Sequence, residues 1–372
     1  MSIKETILII SLLLSCLLSA FAERYVLRLA YKLRIFDKHN SRKIHHGNVP
    51  RLGGTVFFPV LVVVIGLMTS VSLNLYPLDT MQLINAHALN VGFGLCAAMV
   101  LFVTGLYDDL KGMRYRSKFL AQFVAGLLMC AAGLWLKDLH GVLGIYKISP
   151  WVGWPLTIFA VIFVTNAINF IDGIDGLAGS ICCMSLIYYT VWLRLLPAYD
   201  FAFALLSACL VGVLLPFLWH NMHGTAAKRN KTFMGDTGSL LLGLALLAMG
   251  TALANSPTTG RCNPMMVAFA PLLVPCFDVV RVVFVRLKHH RNPFVADQSH
   301  IHHCFLRAGF SQRTTLVLII LFMAAMTAWS DVLTIWLSSG LVLLIDALVF
   351  LCLIRWVTAC HKGKPEPSKP QK

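Results

Sequence analysis

Eleven apolar stretches recur along the chain, and about 20 such residues are what a helix needs to cross the hydrocarbon core of a bilayer. They fall at 3–21, 56–75, 86–107, 119–136, 151–169, 177–196, 201–219, 240–254, 264–285, 315–329 and 332–356. The eighth and tenth are short and fit a bilayer only if they extend or tilt. Lipid offers the backbone no hydrogen-bond partners, so such segments cross as helices. With 58% of 372 residues hydrophobic and 13% charged, the spans leave no room for a separate soluble domain. The sequence predicts an all-α polytopic membrane protein, with 1–357 as one integral-membrane catalytic domain and 358–372 as a basic, disordered tail.

The first stretch imitates a secretory signal, because Ala20-Phe21-Ala22 resembles a cleavage site. A signal peptide carries its cations ahead of the apolar core. Here Lys4 stands alone in front, and Arg24, Arg28, Lys32 and Arg34 follow. It reads as an uncleaved first span. Of the 31 Lys and Arg residues, 26 fall in the odd-numbered loops and the C-terminal tail. By the positive-inside bias these face the cytoplasm, which puts the N-terminus outside and the C-terminus inside. The net charge of +15 then sits on one membrane face, where anionic lipid accounts for it. Nucleic acid need not be invoked.

The acids are more informative. Asp108, Asp109, Asp172, Asp175, Asp236, Asp278 and Asp297 all fall at or beside predicted cytoplasmic span ends. A carboxylate near hydrocarbon is expensive and normally has a partner and a task. Several on one basic face suggest a divalent cation with polyanionic ligands; Mg²⁺ takes one or two carboxylates plus phosphates and water.

Four motifs carry the chemistry. Asp108 and Asp109 end the third span side by side, where neither ionises readily without a cation nearby, and Lys118 opens the next span as a counter-ion or phosphate ligand. Asn166, Asn169 and Asp172 recur every third residue on the fifth span, a stripe along one helix face. The segment then continues Gly173-Ile174-Asp175-Gly176, whose glycines let backbone approach a ligand closely. Phe233-Met234-Gly235-Asp236-Thr237-Gly238-Ser239 opens the eighth span. There Asp236 or Thr237 could cap the helix, or its free N–H groups could receive phosphate, with Lys228, Arg229 and Lys231 upstream. His300, His302, His303 and Cys304 crowd the ninth loop; without a second ligand cluster, imidazoles that bind phosphate or relay protons fit better than structural zinc. The 11 cysteines lie mostly within spans and imply no disulfide framework. Asp346, inside the last span, has no evident role.

These motifs, in this order on alternate loops, resemble the polyprenyl-phosphate N-acetylhexosamine-1-phosphate transferases, the glycosyltransferase 4 family. So does Arg42-Lys43-Ile44-His45 followed by Pro50-Arg51-Leu52-Gly53-Gly54. The likeness runs from about residue 32 to residue 313, and is greatest to the branch that makes undecaprenyl-pyrophosphoryl-GlcNAc. In phospho-MurNAc-pentapeptide transferases a longer His run and Pro-Thr-Met-Gly-Gly stand where this chain differs.

The resemblance implies an eleven-helix enzyme of the bacterial inner membrane, with its active site on the cytoplasmic face. The lipid phosphate of undecaprenyl phosphate would attack the sugar-side phosphate of a UDP-sugar donor, with UMP leaving. It implies Asp236 as the Mg²⁺ ligand (Mn²⁺ substituting), supported by Asp109, and Asp108 as base or orienter of the lipid phosphate. Asp172 and the His300, His302 and His303 group would join the catalytic machinery. Asn166, Asn169, Asp175 and Asn221 would meet the donor, and Arg42, Lys43, Lys118 and Arg291 would meet phosphate. Membrane lipids surround the enzyme, and a homodimer is compatible with the pattern. The rival class is a cation-coupled transporter, whose acids would lie near the midplane of repeated halves. Here they cluster at one face, without a repeat.

Overall fold

The computed structural model describes residues 3–36, 49–195, 201–256, 263–290, 292 and 299–361. Its helices are α1 (Ile3–Leu33), α2 (Phe57–Leu75), α3 (Pro77–Lys111), α4 (Tyr115–Ala131), α5 (Pro150–Ile171), α6 (Leu177–Leu195) and α7 (Phe201–His223). They continue with α8 (Gly235–Ala254), α9 (Pro264–Phe269), α10 (Leu273–Lys288), α11 (Ile301–Arg307), α12 (Gln312–Leu333) and α13 (Ser339–His361). A small antiparallel hairpin of β1 (Asp138–Val142) and β2 (Ile145–Lys147) follows α4. The protein is an all-α polytopic membrane protein, and the hairpin is the one departure among the described residues.

Among the described residues, ten segments are long and apolar enough to cross a membrane, α9 and α10 counting as one. The eleventh predicted span is α4, at 17 residues. Lys118 near its start pairs with Asp236 at the start of α8, and the Lys137 N–H donates to Asn255 just past the end of α8. The stretch from 118 to 137 therefore covers the same height as the 20-residue α8, about 30 Å. α4 falls short of the length of the other ten, and a coil completes its reach alongside α8.

Other boundaries differ from expectation for identifiable reasons. α1 runs on through Ala20-Phe21-Ala22 to Leu33. The predicted tenth span stops at 329, ahead of Asp331, yet α12 continues to Leu333 because the Tyr188 hydroxyl donates to Asp331 at 2.7 Å. The last span begins at Ser339 rather than 332. Asp346 has a partner after all: the Ser330 hydroxyl donates to it at 2.7 Å, joining α12 to α13. The ninth span breaks between α9 and α10 at Ala270–Leu272, where Pro271 and Pro275 remove backbone donors.

α8 is the axis of the bundle, with nearly every residue buried. Hydrophobicity alone does not hold helices together in lipid; small residues that allow close approach do. A methyl group added at Gly105 of α3 would lie 2.6 Å from the Thr237 nitrogen, and one at Gly243 of α8 would lie 2.7 Å from Thr165 Cα of α5. Backbone thus meets backbone on both sides of α8, and this brings the polar ends of α3, α4 and α5 to its first turn.

Candidate active site

The site begins with the start of α8. Neither Asp236 nor Thr237 caps this helix; Asp109 of α3 does. Its Oδ1 accepts the Asp236 N–H at 2.9 Å, and its Oδ2 accepts the Thr237 N–H at 2.9 Å and the Thr237 hydroxyl at 2.6 Å. The carboxylate takes the place an anion would occupy at a helix N-terminus. Its neighbour Asp108 turns the other way, toward Lys118, and accepts the Met113 N–H at 2.6 Å. The adjacent acids therefore divide their work, one fixing α8 and the other facing Lys118.

Lys118 of α4 sits between two carboxylates, in direct contact with Asp236 and 3.4 Å from Asp108. Arg51 approaches the other Asp236 oxygen at 3.8 Å. From α5, the Asn169 amide donates to that same oxygen at 2.9 Å and to Ser239 at 2.8 Å. Four separate segments converge on Asp236, which is 7% exposed. One turn deeper, Asn166 donates to the buried Gln122 at 3.0 Å and to the Ile162 carbonyl at 2.7 Å, so it ties α5 to α4.

Past α5 the chain turns through Asp172–Gly176. Burial pushes the Asp172 carboxyl up to about 7, opposed by Arg51 and reinforced by the negative Asp236, Asp175 and Asp109. Asp175 is bridged to Lys231 at 2.5 Å. Asn221 of α7 is buried, and both ends of its amide meet backbone: it accepts the Gly176 N–H at 2.6 Å and donates to the Thr232 carbonyl at 2.8 Å. It therefore holds two loops in place.

The histidines reach the same region from the other side. Asp278 of α10 orients His300 through Nδ1 at 2.8 Å and accepts the Ile301 N–H at 2.9 Å, while Arg281 pairs with it at 2.7 Å. The His300 ring lies 5.5 Å from that of Phe170. His302 is buried against Gly173, where any side chain would collide with its ring. Neither His302 nitrogen has a partner among the described residues. Burial, with His303 and His300 nearby, brings its pKa down to about 3 despite Asp278, so the ring is neutral. His303 packs beside it, ring centroids 4.2 Å apart. Arg42, Lys43, Arg291 and Asp297 lie outside the described residues.

A family model described as "Glycosyl transferase family 4" matches residues 91–254. An "Undecaprenyl-phosphate alpha-N-acetylglucosaminyl 1-phosphate transferase" from Yersinia pestis is 31% identical over 299 residues, covering 79% of this chain and 75% of the relative. The chain belongs to glycosyl transferase family 4. The transferase is also 30% identical to the identically named protein of Escherichia coli K12, over 84% of this chain and 79% of that one. A Bacillus subtilis relative, named as the probable enzyme of this type, is 29% identical over 97% of this chain and 94% of its own length.

The structure thus brings ten of the expected residues of this transferase into one neighbourhood: Asp108, Asp109, Lys118, Asn169, Asp172, Asp175, Asp236, His300, His302 and His303. Asn166 and Asn221 stand behind it as ties. Sequence reasoning passed over Arg51, Gln122, Ser239 and Arg281. Arg51 stands in the Pro50–Gly54 motif, a signal the sequence does carry; Gln122 stands one helical turn from Lys118, on the same face, a signal legible only once Lys118 is given weight.

The raised Asp172 carboxyl has a measurable consequence. The folded protein holds this proton to about pH 7, whereas an unfolded aspartate releases it near 4. Stability therefore falls as pH rises from about 4 to about 7, and the loss is complete above that. Asp172→Asn is expected to raise the Tm at pH 8, by a few degrees on the scale of such changes, with the difference vanishing near pH 4. Thermal unfolding in detergent across this range checks it; a constant difference would refute the assignment.

Proposed function

We propose that the protein transfers GlcNAc-1-phosphate from UDP-GlcNAc to undecaprenyl phosphate, releasing UMP, in an Mg²⁺-dependent reaction at the cytoplasmic face of a bacterial inner membrane. The observation that carries this is the convergence of Asp108 and Asp236 on one cation, the Lys118 ammonium. Two phosphates must approach each other in this reaction, and catalysis of phosphoryl transfer is mostly positioning and charge stabilisation. A site of facing carboxylates with Lys118 and Arg51 beside them suits that task.

The donor set also suits Mg²⁺. Hard carboxylate oxygens from two helices face a shared cation position, and the remaining ligands of such an ion are ordinarily phosphate and water. Asp236 would hold it, with Asp108 facing and Asp109 supporting from behind by fixing the first turn of α8. When bound, the ion supplies neutralisation of phosphate charge. Asp108 orients the lipid phosphate, or takes its proton, as its oxygen forms a bond to the sugar-side phosphorus. The bond from that phosphorus to the UMP oxygen breaks. Asn169, Asp175 and Lys231 meet the nucleotide end of the donor, and His300, held by Asp278, meets phosphate.

The deciding assay is UMP release from UDP-GlcNAc by purified protein. Release that requires both undecaprenyl phosphate and Mg²⁺ supports the reading; release without acceptor, or none at all, defeats it. UDP-GlcNAc should be preferred over other UDP-amino sugars, and UDP-MurNAc-pentapeptide should not react. Orientation has its own test. Single cysteines at Asn230 and Ser299, in a cysteine-free background, should resist an impermeant reagent applied from outside intact cells and react once the cells are opened. Labelling of either from outside would overturn the cytoplasmic placement.

A further inference from the structure

We infer that Glu23 and His220 are positioning residues for donor binding, acting through the last turn of α7. The inference rests on the donor reading given above for the Asp172–Gly176 turn. α1 carries Ser11, Ser15, Ser19 and Glu23 at four-residue intervals, and all four are buried at 0–1% exposure. This seam packs on α7, where the Ser19 hydroxyl donates to the Val213 carbonyl at 3.1 Å and Gly212 admits α1 closely. The seam ends in a charged residue, not another small one. Glu23 Oε2 lies 2.6 Å from His220 Nδ1, and Oε1 has no partner among the described residues. A carboxylate buried this deeply is retained only at a penalty, and packing of α1 on α7 would be served as well by another serine or alanine.

What the pair holds is the unusual part of α7. Pro216 lies inside the helix and removes the backbone bond that would join the final turn to Gly212. Beyond it, Phe217–His223 lacks one of its ties to the rest of the helix, and a proline of this kind is where helices bend. His220 faces α1 on this segment, and the next residue is Asn221. Its amide holds the Gly176 N–H on one side and the Thr232 carbonyl on the other. Thr232 and Phe233 in turn bond to the Pro50 carbonyl, and only Met234 and Gly235 separate Phe233 from Asp236. Fixing His220 against Glu23 therefore sets the rotation of Asn221. Asn221 sets the spacing between the Asp175 turn and the loop that brings Lys231 to it.

The test separates this role from plain stability. In Glu23→Leu the KM for UDP-GlcNAc should rise about fivefold to tenfold, the worth of one hydrogen bond of this kind, while the KM for undecaprenyl phosphate stays unchanged. Glu23→Gln, which keeps an acceptor for His220, should restore donor KM to within about twofold of the parent, a residual well under one hydrogen bond. The double variant Glu23→Leu/His220→Phe replaces the pair with apolar contact, an exchange buried pairs commonly tolerate; it guards against a single variant that does not fold, and its donor KM should also be raised. Unchanged donor KM in either folded variant, or equal rises for donor and acceptor, would overturn the inference. Parent enzyme that turns over no UDP-GlcNAc at all would instead remove the donor reading on which it rests.

Discussion

Asp236→Asn is expected to lower transfer by about 10²–10³-fold, the scale on which removal of one charge-stabilising group from an active site acts. The side chain keeps its size and its place at the first turn of α8. Asn169, Lys118 and Arg51 all converge on this carboxylate, so the substitution removes the charge they were gathered around. The fold should survive, because α8 is capped by Asp109 and not by Asp236 itself. Steady-state assay together with a thermal unfolding curve in detergent measures both. Near-normal turnover at ordinary Mg²⁺ would sink the metal assignment, and a collapsed Tm would show that the residue is chiefly structural.

The second large effect belongs to a residue with no chemistry. Gly105→Ala places a methyl group 2.6 Å from the Thr237 nitrogen and 2.8 Å from the Asp236 carbonyl carbon, so α3 and α8 must separate. Overpacking of this kind costs about 1–3 kcal/mol. The larger consequence is functional: Asp109 rides on α3 one turn from Gly105 and holds the start of α8. A shift of about 1 Å in such a constellation lowers activity about 10²-fold. Gly66→Ala, on α2 with nothing within 4 Å of the added methyl, is the matched control and should be silent in both Tm and activity. Equal behaviour of the two variants would refute the close-contact argument.

Much of this arrangement was legible in the sequence, because the physics behind it is one-dimensional. Spans announce themselves by apolar length, and acids at their ends by cost. The motif residues Asp108, Asp172, Asp175 and Asp236 could be picked out since each breaks an apolar pattern. What sequence could not assign was the division of labour between neighbours. Asp108 and Asp109 are chemically identical, and only the approach of α8 decides that one caps a helix while the other faces Lys118. Asn221 looked like a ligand residue, but its amide is spent on Gly176 and Thr232, partners set by tertiary packing. The tenth span extends, as its short apolar run requires, but how far is set by packing: Asp331 reads as a boundary until Tyr188 and Trp192 are known to meet it.

The cap that Asp109 supplies to α8 also sets a timetable for biosynthesis. Asp109 and the Asp236 N–H it accepts are 127 residues apart in the chain. At ribosomal speeds of about 5–20 residues per second, the interval between their emergence is on the order of ten seconds. During that time α3 is in the membrane with a carboxylate whose eventual partners have not been made. Lys118, ten residues from Asp108, emerges almost at once and can satisfy the first acid. Asp109 must wait at the water-facing end of its helix. Its place in the last turn of α3, beside Lys111, lets it do so without entering hydrocarbon. A position one or two turns deeper would serve the finished enzyme's geometry no better and would leave a charge stranded in lipid until α8 arrived.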